Sequence, residues 1–280
     1  MMKTMSPGHQ SDWNSFARTN ASERWRKQSA AMGTPLTQLI VDEARVEPGM
    51  RVLDVACGTG EPAISIATEL NGTGEVIATD ISPEPLKVGE GRAQQRGLTN
   101  VRFQLADAHQ LPFPDQQFDR VTSRLGLMFF SDLPRALREI HRVLKPKGRF
   151  TAVAWGPIQQ PYFDTTVAVV HKITGVPLPE LGLNMFKFGQ TGALTKALLQ
   201  AGFASAHDEL RTVEWTWPGA PEDVWEYFRS VTVPFAPLFQ SIPQDRKWEI
   251  DRAVVDAMQP YCVGNCVRFS GSFILAHSWR

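Results

Sequence analysis

The stretch RVLDVA at residues 51–56 runs directly into Cys57-Gly58-Thr59-Gly60, and this junction constrains the fold more than any other feature of the chain. A short run rich in Val and Leu suits a strand buried on both faces, the kind that fills a parallel sheet. Gly58 and Gly60 let the backbone turn tightly and approach a ligand closely. Pro62 stands where a first helical turn tolerates proline, and residues 63–70 continue as a helix that Asn71-Gly72 ends. Strand, glycine turn and helix in this order make the first unit of an open α/β sheet, with its ligand edge at the turn.

The alternation then repeats. Strands are predicted at 75–79 (ending at Asp80), 101–105 (ending at Asp107), 118–123 and 149–155. Helices are predicted at 83–96 and 133–144; the second carries Leu133, Ala136, Leu137, Ile140 and Leu144 on one stripe. Lys145-Pro146-Lys147-Gly148 stops that helix. Before the first strand, residues 11–46 read as helical through Trp13, Phe16, Trp25, Leu36, Leu39 and Ile40, and Glu47-Pro48-Gly49 breaks the pattern. After Trp155 the rhythm changes. A Pro- and Gly-punctuated insertion holds a helix near 163–173, residues 191–201 are helical, and 203–217 read as a strand. A mostly helical segment, 218–262, precedes a final strand at 267–279. Strands alternating with helices argue for a parallel sheet covered on both faces.

Twenty residues beyond Gly60, Asp80 is placed to accept hydrogen bonds from both hydroxyls of a ribose. Asp107-Ala108 ends the third strand within reach of an adenine edge. Gly58, Gly60 and Ala63 also match a dinucleotide fingerprint, so an NAD(P)-dependent oxidoreductase on a similar fold is one alternative. The charges argue against it. A pyrophosphate sits on a helix N-terminus, whereas here Asp54 precedes the turn and Glu61 follows it. Carboxylates there would repel a pyrophosphate but can receive the α-ammonium of a methionine moiety. A non-catalytic S-adenosylmethionine-binding module is the second alternative, because fold analogy does not establish a reaction.

VLDVACGTGEPA, VIATDIS, FQLADAHQLPFPDQQFD and LREIHRVLKPKGRF resemble the ordered motifs of class I S-adenosylmethionine-dependent methyltransferases, in particular the methyltransferase type 11 and quinone-biosynthesis C-methyltransferase branch. The resemblance covers about residues 45–157, with a weaker tail near GALTKALLQAGF; Lys147 stands where the family usually has glycine. It implies that Asp54, Gly58 and Gly60 line the methionine part of the cofactor and that Asp80 holds the ribose. Ile81 would pack on adenine, and Asp107 with Ala108 would bound the adenine edge. Ala56 and Thr59 in the loop and Ser123 at the end of the fourth strand complete the candidate cofactor set. The expected cofactor is S-adenosyl-L-methionine, the expected product S-adenosyl-L-homocysteine, and no metal is expected.

The expected fold is therefore α/β: a Rossmann-like, seven-stranded, mostly parallel sheet with an antiparallel last strand, plus a helical cap. Residues 1–46 would supply N-terminal helices covering the active site. Residues 47–157, 190–217 and 263–280 would form the core, and 158–189 and 218–262 the cap insertions. The second insertion is aromatic, with Trp225, Tyr227, Phe228, Phe235, Phe239, Trp248 and Tyr261. Such a cap suits a small apolar or aromatic methyl acceptor; a homodimer contact is its other use.

Trp25, Arg124, Met128 and Phe129 are the candidate acceptor-site residues. Arg124 could pair with a carboxylate of cofactor or substrate through its fork of donors. His171, in the first insertion, is the candidate base; His109, His141, His207 and His277 and the three tyrosines have weaker claims. Cys262 and Cys266 have no clear partners for a zinc site. Lys plus Arg equal Asp plus Glu at 29 each, so no net field steers the chain to nucleic acid. No apolar stretch approaches the ~20 residues of a membrane span, and the polar residues 1–14 do not resemble a signal peptide. A cytoplasmic protein with a small-molecule methyl acceptor as its partner is the expectation.

Overall fold

The computed structural model describes residues 24–280; the stretch 11–23 of the predicted N-terminal helical region, with Trp13 and Phe16, lies outside the described residues. The first helix, α1 (Arg26–Ala44), buries Leu36 and Ile40 in one hydrophobic cluster and Val41 in another. It ends where Arg45 takes the left-handed conformation at φ 51°, just before Glu47-Pro48-Gly49.

The chain then lays down β1 (Arg51–Val55), α2 (Ala63–Leu70), β2 (Glu75–Asp80), α3 (Pro83–Gln95), β3 (Val101–Leu105) and β4 (Phe118–Arg124). Next come α4 (Leu133–Val143) and β5 (Leu144–Trp155). β1 pairs in parallel with β2 and β4, β2 with β3, and β4 with β5. Val52, Val76 and Ala78 face one hydrophobic cluster, with Ile66 and Leu70 of α2, while Leu53, Val55 and Ile77 face the other, with Leu137 and Ile140 of α4. Neighbouring residues on a strand point to opposite faces, so both faces of these strands are covered by apolar side chains.

The sheet order is β3-β2-β1-β4-β5-β8-β6, where β6 is Ser205–Pro218 and β8 is Cys266–Trp279. β8 runs antiparallel to both β5 and β6. This is the mostly parallel sheet with an antiparallel last strand. It has eight strands rather than seven because β7 (Cys262–Val263) forms a small hairpin with the start of β8 across Gly264-Asn265.

β5 starts five residues before the predicted boundary. Leu144 already pairs with Phe118, and a register shift between Phe118 and Arg120 absorbs the irregularity. Lys147 sits at φ 63°, a left-handed conformation in which glycine is unstrained, which explains why glycine suits this position.

β6 and β8 stay paired from Ser205↔Trp279 to Pro218↔Cys266, whereas β5 stops at Trp155↔Phe273. The seven pairs from Thr212↔Ser272 onward therefore extend past the end of β5, by about 20 Å at the usual strand rise. They project at the rim formed by the carboxyl ends of the parallel strands and carry Trp215, Trp217 and Phe269 with them.

The remaining helices gather around this ribbon. They are α5 (Pro161–Asp164), α6 (Val167–Thr174), α7 (Glu180–Asn184), α9 (Pro221–Val231), α10 (Ala236–Gln240) and α11 (Lys247–Met258); α8 (Ala193–Gln200) packs instead on β6 and β8 in the core. The predicted helix over 163–173 is two pieces, α5 and α6. Asp251 of α11 joins the cap, accepting from Trp225 Nε1 at 2.6 Å and pairing with Arg229 at 3.2 Å. Among the described residues no helix is long and apolar enough to cross a membrane.

Candidate active site

The carboxyl ends of β1, β2 and β3 carry a polar crevice. Asp80 ties its walls together: Oδ2 accepts from the Gly58 N–H at 2.8 Å and Oδ1 from the Ser82 N–H at 2.9 Å. The loop is drawn further toward β2 by the Cys57 N–H, which donates to Thr79 O at 2.9 Å. Arg92 of α3 donates to the Thr59 hydroxyl at 2.8 Å. Gly60 has φ +108°, and a Cβ there would lie 2.6 Å from Ile64 Cδ1, so the turn requires glycine. Gly126 is equally constrained: a Cβ would meet Ala56 Cβ at 2.6 Å and Ser123 Oγ at 2.9 Å. The loop after β4 thus lies directly on the loop after β1.

Along the crevice, Ile81 is 46% and Leu105 is 58% exposed. Large apolar side chains at strand ends give a base something flat to rest on. Asp107 is exposed and is held by His109, whose N–H and Nδ1 meet Oδ1 at 2.9 and 2.6 Å. His109 Nε2 accepts from the Asp132 N–H at 3.2 Å, so Nδ1 carries the proton and donates. Ala108 is buried.

Asp54 is wholly buried under the glycine loop. Its Oδ1 accepts from the Thr122 hydroxyl at 2.7 Å, while Oδ2 has no partner among the described residues. Burial pushes its pKa up to about 7; the Thr122 hydroxyl, the charge of Arg124 and the Ala63 amide offset only part of this. A buried carboxyl with a spare oxygen gains most when a cation arrives. The neighbouring Cys57 thiol is pushed up by burial and by the charges of Asp54 and Asp80, so it is no nucleophile.

A cavity of about 250 Å³ opens beside Arg124, Leu125 and Phe129, at and after the end of β4. Met32, Gly33 and Leu36 of α1 form one wall. Trp155 and Trp215 form the sheet side, their rings 5.2 Å apart at 80°. Tyr162, Phe163, Tyr227 and Phe228 close it from the cap, with ring centroids of Tyr162 and Phe228 4.9 Å apart. Burial raises the Tyr162 hydroxyl well above its ordinary pKa, so it stays protonated and can only donate or accept as a neutral group. Among the described residues lining the cavity there is no carboxylate and no histidine.

Of the residues predicted for the site, Asp54, Ala56, Gly58, Thr59, Gly60, Asp80, Ile81, Asp107, Ala108 and Ser123 lie at the ends of β1 to β4 or in the loops that follow them. Arg124 and Phe129 line the cavity. Met128 is a core residue, 3% exposed, and does not line it. Trp25 is buried against Trp217, ring centroids 5.7 Å apart, one layer behind the cavity. His171 is not placed to act as a base there. Its ring is exposed on α6, and Nδ1 donates to Val176 O at 2.7 Å, closing the helix end. Sequence reasoning missed Trp155 and Trp215, which read as ordinary sheet residues; it expected N-terminal helices over the site but could not single out Ser29, Met32 and Gly33, which carry no chemical signal.

The cap aromatics mostly bury one another: Trp225, Phe228 and Phe235 are 2% exposed or less, whereas Trp248 is 71% exposed.

Comparison with known proteins bears on this arrangement. The family profile described as a methyltransferase domain matches residues 46–168. The chain is 42% identical over 121 residues to the ubiquinone/menaquinone biosynthesis C-methyltransferase UbiE of Bordetella avium, covering 43% of this chain and 47% of that one. It is 32% identical over 192 residues to a demethylmenaquinone methyltransferase of Listeria monocytogenes, covering 65% of this chain and 76% of that one. The chain spans about half the length of the first of these relatives. Among solved structures, the YcgJ protein of Bacillus subtilis superimposes with a TM-score of 0.54 at 25% identity, over 87% of this chain and 97% of that one. The glycine loop, the strand-end carboxylates and this matched span together make the chain a member of the class I S-adenosylmethionine-dependent methyltransferase family.

Proposed function

We propose that the protein transfers a methyl group from S-adenosylmethionine to a small, apolar or aromatic molecule held in the cavity under the cap. The observation that carries this reading is the meeting of two spaces. The polar crevice at the ends of β1 to β3 and the aromatic cavity share one divider, the end of β4 and its following loop. A donor in the first would face an acceptor in the second.

In this reading Asp54 receives the α-ammonium with its spare oxygen. Asp80, already aligned by two backbone amides, accepts from the ribose hydroxyls. Ile81 lies against adenine, and Asp107, with Ala108, bounds its edge. Ala56, Gly58, Thr59, Gly60 and Ser123 shape the wall around the amino-acid part. When bound, S-adenosylmethionine supplies an electrophilic methyl carbon, released as its bonding pair returns to sulfur, which leaves S-adenosylhomocysteine. The cavity walls align the acceptor and keep water out, the two contributions that in-line displacement needs most. Segments 158–189 and 218–262 act as the cap, and α1 closes the third side. The relatives' names, which refer to quinone biosynthesis, are in keeping with a ring-shaped acceptor, but the cap segment 218–262 falls outside the matched profile. The acceptor is therefore assigned from the cavity rather than from the relatives. The three unbridged cysteines accord with a cytoplasmic setting.

The test is calorimetry with S-adenosylmethionine, S-adenosylhomocysteine and NAD, followed by transfer of a labelled methyl group to a panel of one- and two-ring aromatic compounds. Binding of the first two ligands and labelling of a panel member are expected. Binding of NAD alone would support the oxidoreductase instead. Cofactor binding without transfer to any acceptor would leave a binding module.

A further inference from the structure

The cavity contains a charged donor that the methyl-transfer reading does not use. Arg124 ends β4, beyond the buried part of the strand, and its side chain reaches toward α1. Among the described residues its one hydrogen bond is from Nη1 to Thr37 Oγ1 at 3.2 Å. Its Nε is enclosed and has no partner. Burial pushes its pKa down, and the nearby Glu61 and Asp54 favour its charge without a hydrogen bond to it. An enclosed guanidinium donor left unpaired is costly, more so than a neutral one.

The surroundings say what would pair with it. Tyr162 adds a neutral hydroxyl. Among the described residues, Arg124 is thus the one cation lining a space that offers no carboxylate acceptor and no base. A neutral acceptor that had to lose a proton would find no group to take it. One that arrives already ionised would need none, and would pair with the guanidinium of Arg124. The planar fork of an arginine matches the two oxygens of a carboxylate. The remaining walls are aromatic, and the volume of about 250 Å³ lies below the usual range of roughly 300–1,000 Å³ for ligand pockets. Space is available for one or two rings.

We propose that Arg124 is the specificity-determining residue of this cavity and that the acceptor is a small aryl carboxylate, its carboxylate on the Arg124 fork and its ring between Trp155, Trp215 and Phe228. A carboxylate oxygen forms the new bond to the methyl carbon as the carbon–sulfur bond breaks and its pair returns to sulfur, giving a methyl ester with no proton to remove. This rests on the cavity being the acceptor site. A carboxylate could come from a second source, the methionine end of the cofactor. The crevice and the cavity differ in lining, and Arg124 lines the cavity alongside the cap residues, which favours the acceptor.

The experiment measures binding of 2-naphthoate and of its neutral isostere 2-naphthamide to the intact protein, with and without S-adenosylhomocysteine. The wild type is expected to prefer the carboxylate by at least about tenfold, the effect of one charge-assisted hydrogen bond. Arg124→Gln is expected to abolish the preference while S-adenosylhomocysteine still binds, weakened at most through the lost support that Arg124 gives the ionised Asp54. Equal affinity for the two probes in the wild type, or binding of neither, overturns the proposal without needing a variant that folds. Loss of S-adenosylhomocysteine affinity in Arg124→Gln with the probe preference intact also overturns it and assigns Arg124 to the cofactor. A wild type that selects the carboxylate but binds no S-adenosylhomocysteine keeps this assignment and rejects the methyltransferase reading.

Discussion

Asp80 Oδ2 accepts a hydrogen bond from the Gly58 N–H at 2.8 Å, joining the end of β2 to the glycine loop after β1. Its other oxygen holds the Ser82 N–H, so one carboxylate organises both sides of the crevice proposed for the cofactor. Asp80→Ala is expected to weaken S-adenosylhomocysteine binding by about ten- to a hundredfold, since a hydrogen bond to a charged group is worth about 1.5–3 kcal/mol. Asp80→Asn, which retains an acceptor oxygen, should fall between. Calorimetry checks both, and circular dichroism confirms that the fold survives. An unchanged dissociation constant removes Asp80 from the ribose site.

Asp54 makes the protein sensitive to pH in a definite direction. Its folded pKa of about 7 lies above the ordinary 3.8, so the folded chain keeps a proton that the unfolded chain has already released. The stability contributed by this group is complete below about pH 4 and is lost as pH rises through about 7, a change on the order of 4 kcal/mol. A cation next to the carboxyl reverses the preference. Cofactor affinity should therefore strengthen between pH 6 and 8, with proton release on binding. Titrations in buffers of different ionisation enthalpy measure that release, and Asp54→Asn should flatten the pH dependence. A wild-type affinity that does not change across this range would show that Asp54 does not receive the ammonium.

Phe163 connects the cap to the sheet. It is 1% exposed, with ring centroids 4.8 Å from Phe186 and 5.0 Å from Trp155. Phe163→Ala should destabilise the protein by about 3–5 kcal/mol, the usual range for truncating a buried ring. It should also enlarge the cavity and admit a bulkier ring. Urea unfolding tests the first effect and probe binding the second. A loss under about 1 kcal/mol would mean that the cap closes over the gap.

The crevice proposed for the cofactor was legible in the sequence because its signals are local. Asp54, Gly58, Gly60, Asp80 and Asp107 each stand at a strand end, and once strands alternate with helices their carboxyl ends must share one rim. The positive φ of Gly60 and the acidic residues flanking the turn are likewise properties of a few consecutive residues. The parallel pairing of β1 to β5 followed from the same rhythm, whereas the antiparallel last strand lies beyond the point where that rhythm stops.

The lining of the cavity proposed for the acceptor was decided only by tertiary structure. Its walls come from α1, from the ends of β4 and β5, from the overhanging β6–β8 ribbon and from two cap segments, so no local pattern joins Met32 to Trp215 or Phe228. The length of the overhang is set by where β5 stops pairing, which no residue of β6 announces. Met128 and Trp25 were read as pocket residues and lie in the core, because an apolar side chain looks the same in sequence whether it lines a cavity or fills one. His171 turned outward because its helix ends there and its ring found a backbone carbonyl. Arg124 could be singled out in the sequence for its charge alone. That its Nε is buried without a partner is a consequence of how four distant segments pack around it.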